Sequence, residues 1–109
     1  VVLSGDIHCY MVNDLRAGGP DTPPVATELV TTCLAASHAP KARYGEVRAR
    51  NADVRFADIE RSGYTLIEAT PQTLAVDLRA VADQADPNGA ADSLARFVIE
   101  DRRPGAQTA

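Results

Sequence analysis

Leu74, Val76, Leu78 and Ala80 alternate with Ala75, Asp77, Arg79 and Val81, and this period of two constrains the fold more than any other stretch of the chain. Successive side chains of an extended backbone point to opposite faces. One face of this segment is therefore apolar and the other mostly polar, as a sheet with one buried side requires. The stretch before it, 64–70, reads as its partner strand, and Pro71-Gln72 joins the two. Proline's fixed φ suits the first central position of a tight turn. A hairpin over 64–70 and 73–81 is predicted.

The remaining segments are assigned from the same signals. Residues 1–6 are too apolar to alternate and read as a buried strand. Residues 9–16 are mixed, with Tyr10, Val12 and Asp14 on one face if extended. The Gly- and Pro-rich 17–24 is a loop. Residues 25–34 contain the β-branched Val30-Thr31-Thr32 and read as strand. A loop or short helical turn carries His38, a short Arg- and Ala-rich helix is expected over 46–56, and 83–92 is a loop. Leu94, Phe97 and Val98 fit either a strand or a helical stripe within 93–100, and the chain from Arg102 onward reads as a frayed tail.

A chain of 109 residues holds one domain at most. With 45% apolar and 24% charged residues it has the composition of a globular chain. It has no Trp and only two Phe, so the core is aliphatic. The net charge of −4 leaves no electrostatic footprint for nucleic acid. Lys41 is the only lysine among eleven basic residues, and no stretch is long or apolar enough to span a membrane. Cys9 and Cys33 could pair, but one pair is not a disulfide framework, and they read as small buried or half-buried hydrophobes.

Chemistry enters where the first apolar run meets Gly5. A strand stopped by glycine delivers the following side chains to the sheet's edge, where α/β proteins place their sites. Those side chains are Asp6-Ile7-His8. In an extended segment residues i and i+2 face one way, so a carboxylate oxygen and an imidazole nitrogen would share a common point, as a metal ion needs. Alone, this pattern also fits a polar turn cap and a loop histidine.

Further segments extend the pattern. Val2-Leu3-Ser4-Gly5-Asp6-Ile7-His8 followed by Val12-Asn13-Asp14-Leu15 resembles the late metal-binding segment of PhoD-like (alkaline phosphatase D) metallophosphatases, of the calcineurin-like phosphoesterase superfamily. Pro24-Val25-Ala26-Thr27-Glu28-Leu29-Val30 resembles that family's Val-x-Thr-Glu-Phe-Val strand, and Arg61-Ser62-Gly63-Tyr64 its Arg-Arg-Gly-Tyr hairpin entry. Phe97-Val98-Ile99-Glu100-Asp101-Arg102-Arg103-Pro104-Gly105 resembles its closing strand and tail, which favours a strand at 93–100. The chain departs from the family at Cys9-Tyr10-Met11 and at Asn51-Ala52-Asp53, where the family reads Asn-Pro-His.

The resemblance implies an α/β fold, mostly β in this piece: the C-terminal part of a two-sheet metallophosphatase sandwich. Residues 1–109 would be a C-terminal segment, starting without Met in mid-strand and incomplete without N-terminal sequence of the same enzyme. It implies a metal-dependent phosphoric ester hydrolase, an alkaline phosphatase or phosphodiesterase in which metal-activated hydroxide attacks phosphorus. Asp6 and His8 match the family's Asp-x-His ligand pair, one for each metal of a binuclear or trinuclear centre of iron and calcium. A hard oxygen suits calcium and imidazole suits iron or zinc. Two ligands cannot hold two metals, so this segment alone is expected to be inactive. The substrate implied is a phosphate ester, and the location periplasmic or secreted, by the twin-arginine route.

The competing readings are a non-catalytic β-rich binding or accessory domain that kept the fold, and a small redox domain using Cys9 and Cys33. For single residues the bland expectations are an ion pair from Glu28 to Arg61 or Arg79, a solvent-exposed His38, and Arg61 with Tyr64 anchoring the hairpin. Asn13 and Asp14 either support the metal site from behind or form a polar turn end.

Overall fold

The computed structural model describes residues 1–38 and 41–109. Its elements in chain order are β1 (Val2–Ser4), β2 (Tyr10–Leu15), β3 (Ala26–Val30), α1 (Lys41–Arg50), β4 (Val54–Asp58), β5 (Gly63–Ala69), β6 (Thr73–Val81), β7 (Ala91–Glu100) and β8 (Arg103–Thr108). They form two four-stranded sheets, ordered β1-β3-β2-β4 and β5-β6-β7-β8. In the first, β1 runs parallel to β3 and the other pairs are antiparallel. The second is antiparallel throughout. The mostly β, two-sheet architecture expected from the sequence is the one observed.

The hairpin forms as its alternation requires. Val76 and Leu78 are buried, and Leu74 packs against the same cluster. At the turn, Thr70 N–H donates to the Thr73 carbonyl at 2.8 Å, and Thr70 Oγ1 accepts from Thr73 N–H at 2.9 Å. Tyr10, Val12 and Leu29 from the first sheet meet Val76, Leu78, Phe97, Ile99 and Ala106 from the second in one core. Phe56 and Phe97 pack edge to face across it, 5.8 Å apart. On the other face of the first sheet a smaller cluster of Cys9, Met11 and Val30 is covered by Tyr44, Ala57 and Ile59.

Gly63 makes the joint between the sheets possible. A Cβ there would overlap the Arg79 carbonyl and the Tyr10 hydroxyl. Without it, Tyr10 O–H donates to the Arg79 carbonyl at 2.6 Å and lies 3.3 Å from the Tyr64 carbonyl. In the Arg-Ser-Gly-Tyr segment the glycine thus locks the hairpin to the first sheet. Arg61 instead pairs with Asp58 at 3.5 Å.

Four local expectations are corrected. Residues 1–6 hold a short β1, and it is not buried: Val1, Val2 and Leu3 are 54%, 44% and 63% exposed, because β1 is an edge strand paired only with β3. The 25–34 strand ends at Val30. The helix spans Lys41–Arg50, and 54–58 is strand because Phe56 is drawn into the core. The tail is not frayed. Arg103–Thr108 pairs with β7 and buries Ala106. Its polar composition hides this, since backbone pairing and one small side chain do the holding.

Candidate metal site

The parallel pair β1–β3 ends at Ser4 and Val30, where Thr31 N–H donates to the Ser4 carbonyl at 3.0 Å. Gly5 to His8 then crosses from the end of β1 to the start of β2. The crossing is not extended. Asp6 and His8 have φ of 71° and 56°, the left-handed region, and Ile7 N–H turns back to the Gly5 carbonyl at 2.9 Å. The alternation argument for a shared face therefore does not apply. Asp and His enter this region more readily than most residues, and side chains held there against local preference gather at functional sites.

His8 is half-buried, and its Nδ1 lies 2.7 Å from the Ser37 carbonyl. A carbonyl only accepts, so Nδ1 carries the proton and the neutral ring's lone pair sits on Nε2. That arrangement orients an imidazole for coordination. Asp6 is exposed, and no described residue pairs with its carboxylate. A free carboxylate and an imidazole with one open nitrogen fit the donor set of a hard and a borderline cation. Among the described residues, no group of three or more His, Cys, Asp or Glu converges as a complete metal site.

The neighbouring polar residues fall into two groups. Glu28 does not pair with arginine. Its carboxylate accepts from Ser4 Oγ and from Asn13 Nδ2, both at 2.9 Å, and so ties β1 to β2 across β3. Arg79 is engaged instead by Asp77 at 3.3 Å. Asn13 thus braces the strand end that leads into Asp6. Asp14 points to the opposite face, against Arg55 at 3.3 Å and Arg16 at 3.6 Å. Its partners among the described residues are thus the arginines of that face, not the polar chain that runs through Glu28 to Ser4.

Cys9 is fully buried, in the cluster with Met11 and Val30. Burial, with the charges of Asp58 and Cys33 adding to it, pushes its thiol up to about 11, away from the thiolate form that nucleophilic reactivity needs. Neither cysteine is in a disulfide, and Cys33 donates weakly to the Ala36 carbonyl. The redox reading thus has no bonded pair behind it.

His38 is not solvent-exposed. It is half-buried, with Nδ1 3.1 Å from the His8 carbonyl and Nε2 3.1 Å from Ser62 Oγ. With Arg61, Ser62, Asp83, Gln84 and Asp92 it lines a cleft of about 640 Å³. No local pattern marks this residue, because its partners lie 30 and 24 positions away.

Comparison with known proteins adds two findings. The family model described as "PhoD-like phosphatase" matches residues 1–78. The solved structure titled "Structure of PhoD" superposes with a TM-score of 0.83 at 23% identity, covering 99% of this chain and 22% of that one. At that identity the likeness shows the fold, and this chain spans about a fifth of the solved one. No curated protein matches.

Proposed function

Since the chain belongs to the PhoD-like phosphatase family, we propose that it is the C-terminal segment of a metal-dependent phosphoric ester hydrolase, with Asp6 and His8 as its contribution to the metal centre. One observation carries this reading: the Ser37 carbonyl fixes His8 Nδ1 as the donor, leaving Nε2 free to coordinate. The unpaired carboxylate of Asp6, two residues away in a similarly left-handed backbone, supplies the second donor.

Bound iron and calcium ions would supply Lewis-acid charge beside the phosphoryl oxygens. Within this chain the tasks are positional. His8 presents one nitrogen of a fixed tautomer, Asp6 presents a carboxylate, and the Ser4–Glu28–Asn13 chain of hydrogen bonds holds the strand end beneath them. Phosphoryl transfer asks for little covalent help beyond placement and charge, so this is a coherent share of the work. The other ligands and the acid for the leaving group belong to the rest of the enzyme. The exposed edge of β1 supports that division, since a parallel strand with an open apolar edge invites a further strand beside it.

The substrate class is a phosphate ester, and the setting periplasmic or secreted. The test is metal content and p-nitrophenyl phosphate hydrolysis of the full-length protein, wild type beside His8→Ala. Joint loss of metal and turnover in a folded protein is the expected result. Unchanged metal and turnover would reduce Asp6-Ile7-His8 to a polar crossing. Residues 1–109 alone are expected to show no turnover.

A further inference from the structure

We infer that His38 is a positioning residue for His8, linking the second sheet to the crossing that carries the candidate ligands; the inference rests on the reading of His8 as a metal ligand. Three features converge on it.

The first is a reciprocal grip. The Ser37 carbonyl accepts from the His8 ring at 2.7 Å, and the His38 ring donates back to the His8 carbonyl at 3.1 Å. Two consecutive residues of one loop thus hold both the side chain and the backbone of His8. Its φ of 56° lies where most L-residues are disfavoured, and these contacts favour it.

The second is what lies behind His38. Its Nε2 and Gln84 Oε1 lie 3.1 Å and 2.6 Å from Ser62 Oγ, whose one proton serves one of them at a time. Ser62 is 6% exposed, and its carbonyl accepts from Val81 N–H at 2.9 Å. The residue behind His38 is therefore built into the entry of β5 and the end of β6. A line of polar contacts runs from the second sheet through Ser62 and His38 to the His8 backbone.

The third is that the other use of a Ser–His pair is closed. A nucleophilic serine must present its oxygen to a substrate, whereas Ser62, though it borders the cleft, is 6% exposed and its Oγ is held between His38 and Gln84. Support is the role left to the pair.

The experiment uses the full-length protein, with calcium and iron retained against a chelator as the readout, beside p-nitrophenyl phosphate turnover. His38→Ala is expected to weaken metal retention roughly 10–100-fold, as loss of a partner behind a metal ligand does, with turnover falling alongside. His38→Asn places an amide donor near the former Nδ1 and is expected to recover most of the retention, whereas the apolar His38→Leu, which fills at least as much space, is expected not to. Ser62→Ala cuts the line on its far side and is expected to shift retention in the same direction, so the test stands even if His38→Ala does not fold. Wild-type retention in His38→Ala or Ser62→Ala, or His38→Asn no better than His38→Ala, would overturn the proposal. His8→Ala runs in parallel. If it loses metal while the His38 variants do not, only the positioning role fails; if it keeps its metal, the ligand reading fails and the positioning role with it.

Discussion

The two sheets of this sandwich are built by different rules. In β5–β8 every strand pairs with its neighbour in sequence, antiparallel, through short turns or one loop. The other sheet interleaves its strands as β1-β3-β2-β4, mixes parallel with antiparallel pairing and leaves apolar β1 exposed at its edge. Within three residues it also holds two non-glycine residues in left-handed backbone. Among the described residues, backbone preference and final structure conflict in the second sheet at the single turn residue Arg102, and beside the first at two neighbouring non-glycine residues. Such conflict concentrates where function constrains the chain, and the candidate ligands lie there. On the proposed reading the regular sheet is scaffold and the irregular one carries the candidate ligands.

The joint between them should break most easily at Gly63. Gly63→Ala sets a methyl against the Arg79 carbonyl and the Tyr10 hydroxyl, and neither can retreat without opening a sheet. Overpacking of this kind costs about 3 kcal/mol at the upper end of its usual range. A thermal melt should show a large drop in midpoint, and a wild-type midpoint would mean that the sheets separate more freely than described.

Titration should distinguish the sheets by sign. In the first sheet, burial followed by the charges of Asp58 and Cys33 raises Cys9 from 9.0 to about 11. Burial, then Asp58, Tyr64 and Cys33, raises Tyr10 from 10.0 to about 12. A raised folded value gives stability that is complete below the unfolded value and is lost as pH climbs to the folded one. For Cys9 that window is pH 9 to 11, and two units correspond to about 2–3 kcal/mol. In the second sheet, burial pushes Asp77 up, but the Ser93 hydrogen bond and Arg79, with Arg96, outweigh it and hold it below the ordinary 3.8. That contribution is present above the ordinary value and lost as pH falls further. Cys9→Ala should therefore flatten the alkaline limb of a stability–pH curve, and Asp77→Asn the acid limb. An exchange of these effects would contradict the assignment.

A smaller effect sharpens the joint. Tyr10→Phe keeps the packing and removes the 2.6 Å bond to Arg79, with an expected loss of about 1 kcal/mol by denaturant melt. No loss would leave Gly63 explained by packing alone.

What could be read from the sequence follows the same division. The alternation of Leu74, Val76 and Leu78 is a local signal, and the strand it predicts is the one observed. The ambiguous 93–100 resolved as strand because β6 and β8 flank it. Where partners are distant in sequence, the reading failed. Glu28 looked ready for an arginine but lies between Ser4 and Asn13. His38 looked exposed but spans His8 and Ser62. Asp6 and His8 were found as a pair of residue types, yet the geometry assumed for them was wrong, since no pattern of polarity encodes a left-handed φ in a residue other than glycine. The tail was missed for a related reason: a strand held by backbone pairing and Ala106 carries little hydrophobic pattern.

The smallest prediction bears most directly on the comparison. Each sheet contains an exposed charged residue in left-handed backbone: Asp6 in the crossing, and Arg102 between β7 and β8 with φ of 58°. Glycine adopts that conformation without a Cβ penalty. Asp6→Gly and Arg102→Gly should therefore both stabilise the metal-free protein slightly, by up to about 1 kcal/mol. Arg102 gives up only a surface pair with Asp101, which contributes little. The two should part when metal is restored. Arg102→Gly keeps full metal content, because its strain serves only a tight turn. Asp6→Gly loses metal, because the same strain there holds a carboxylate in place. Equal stabilisation with unequal metal binding would identify the first sheet's irregularity as functional; equal metal binding would make Asp6 a turn residue like Arg102 and leave His8 alone in this segment as a ligand.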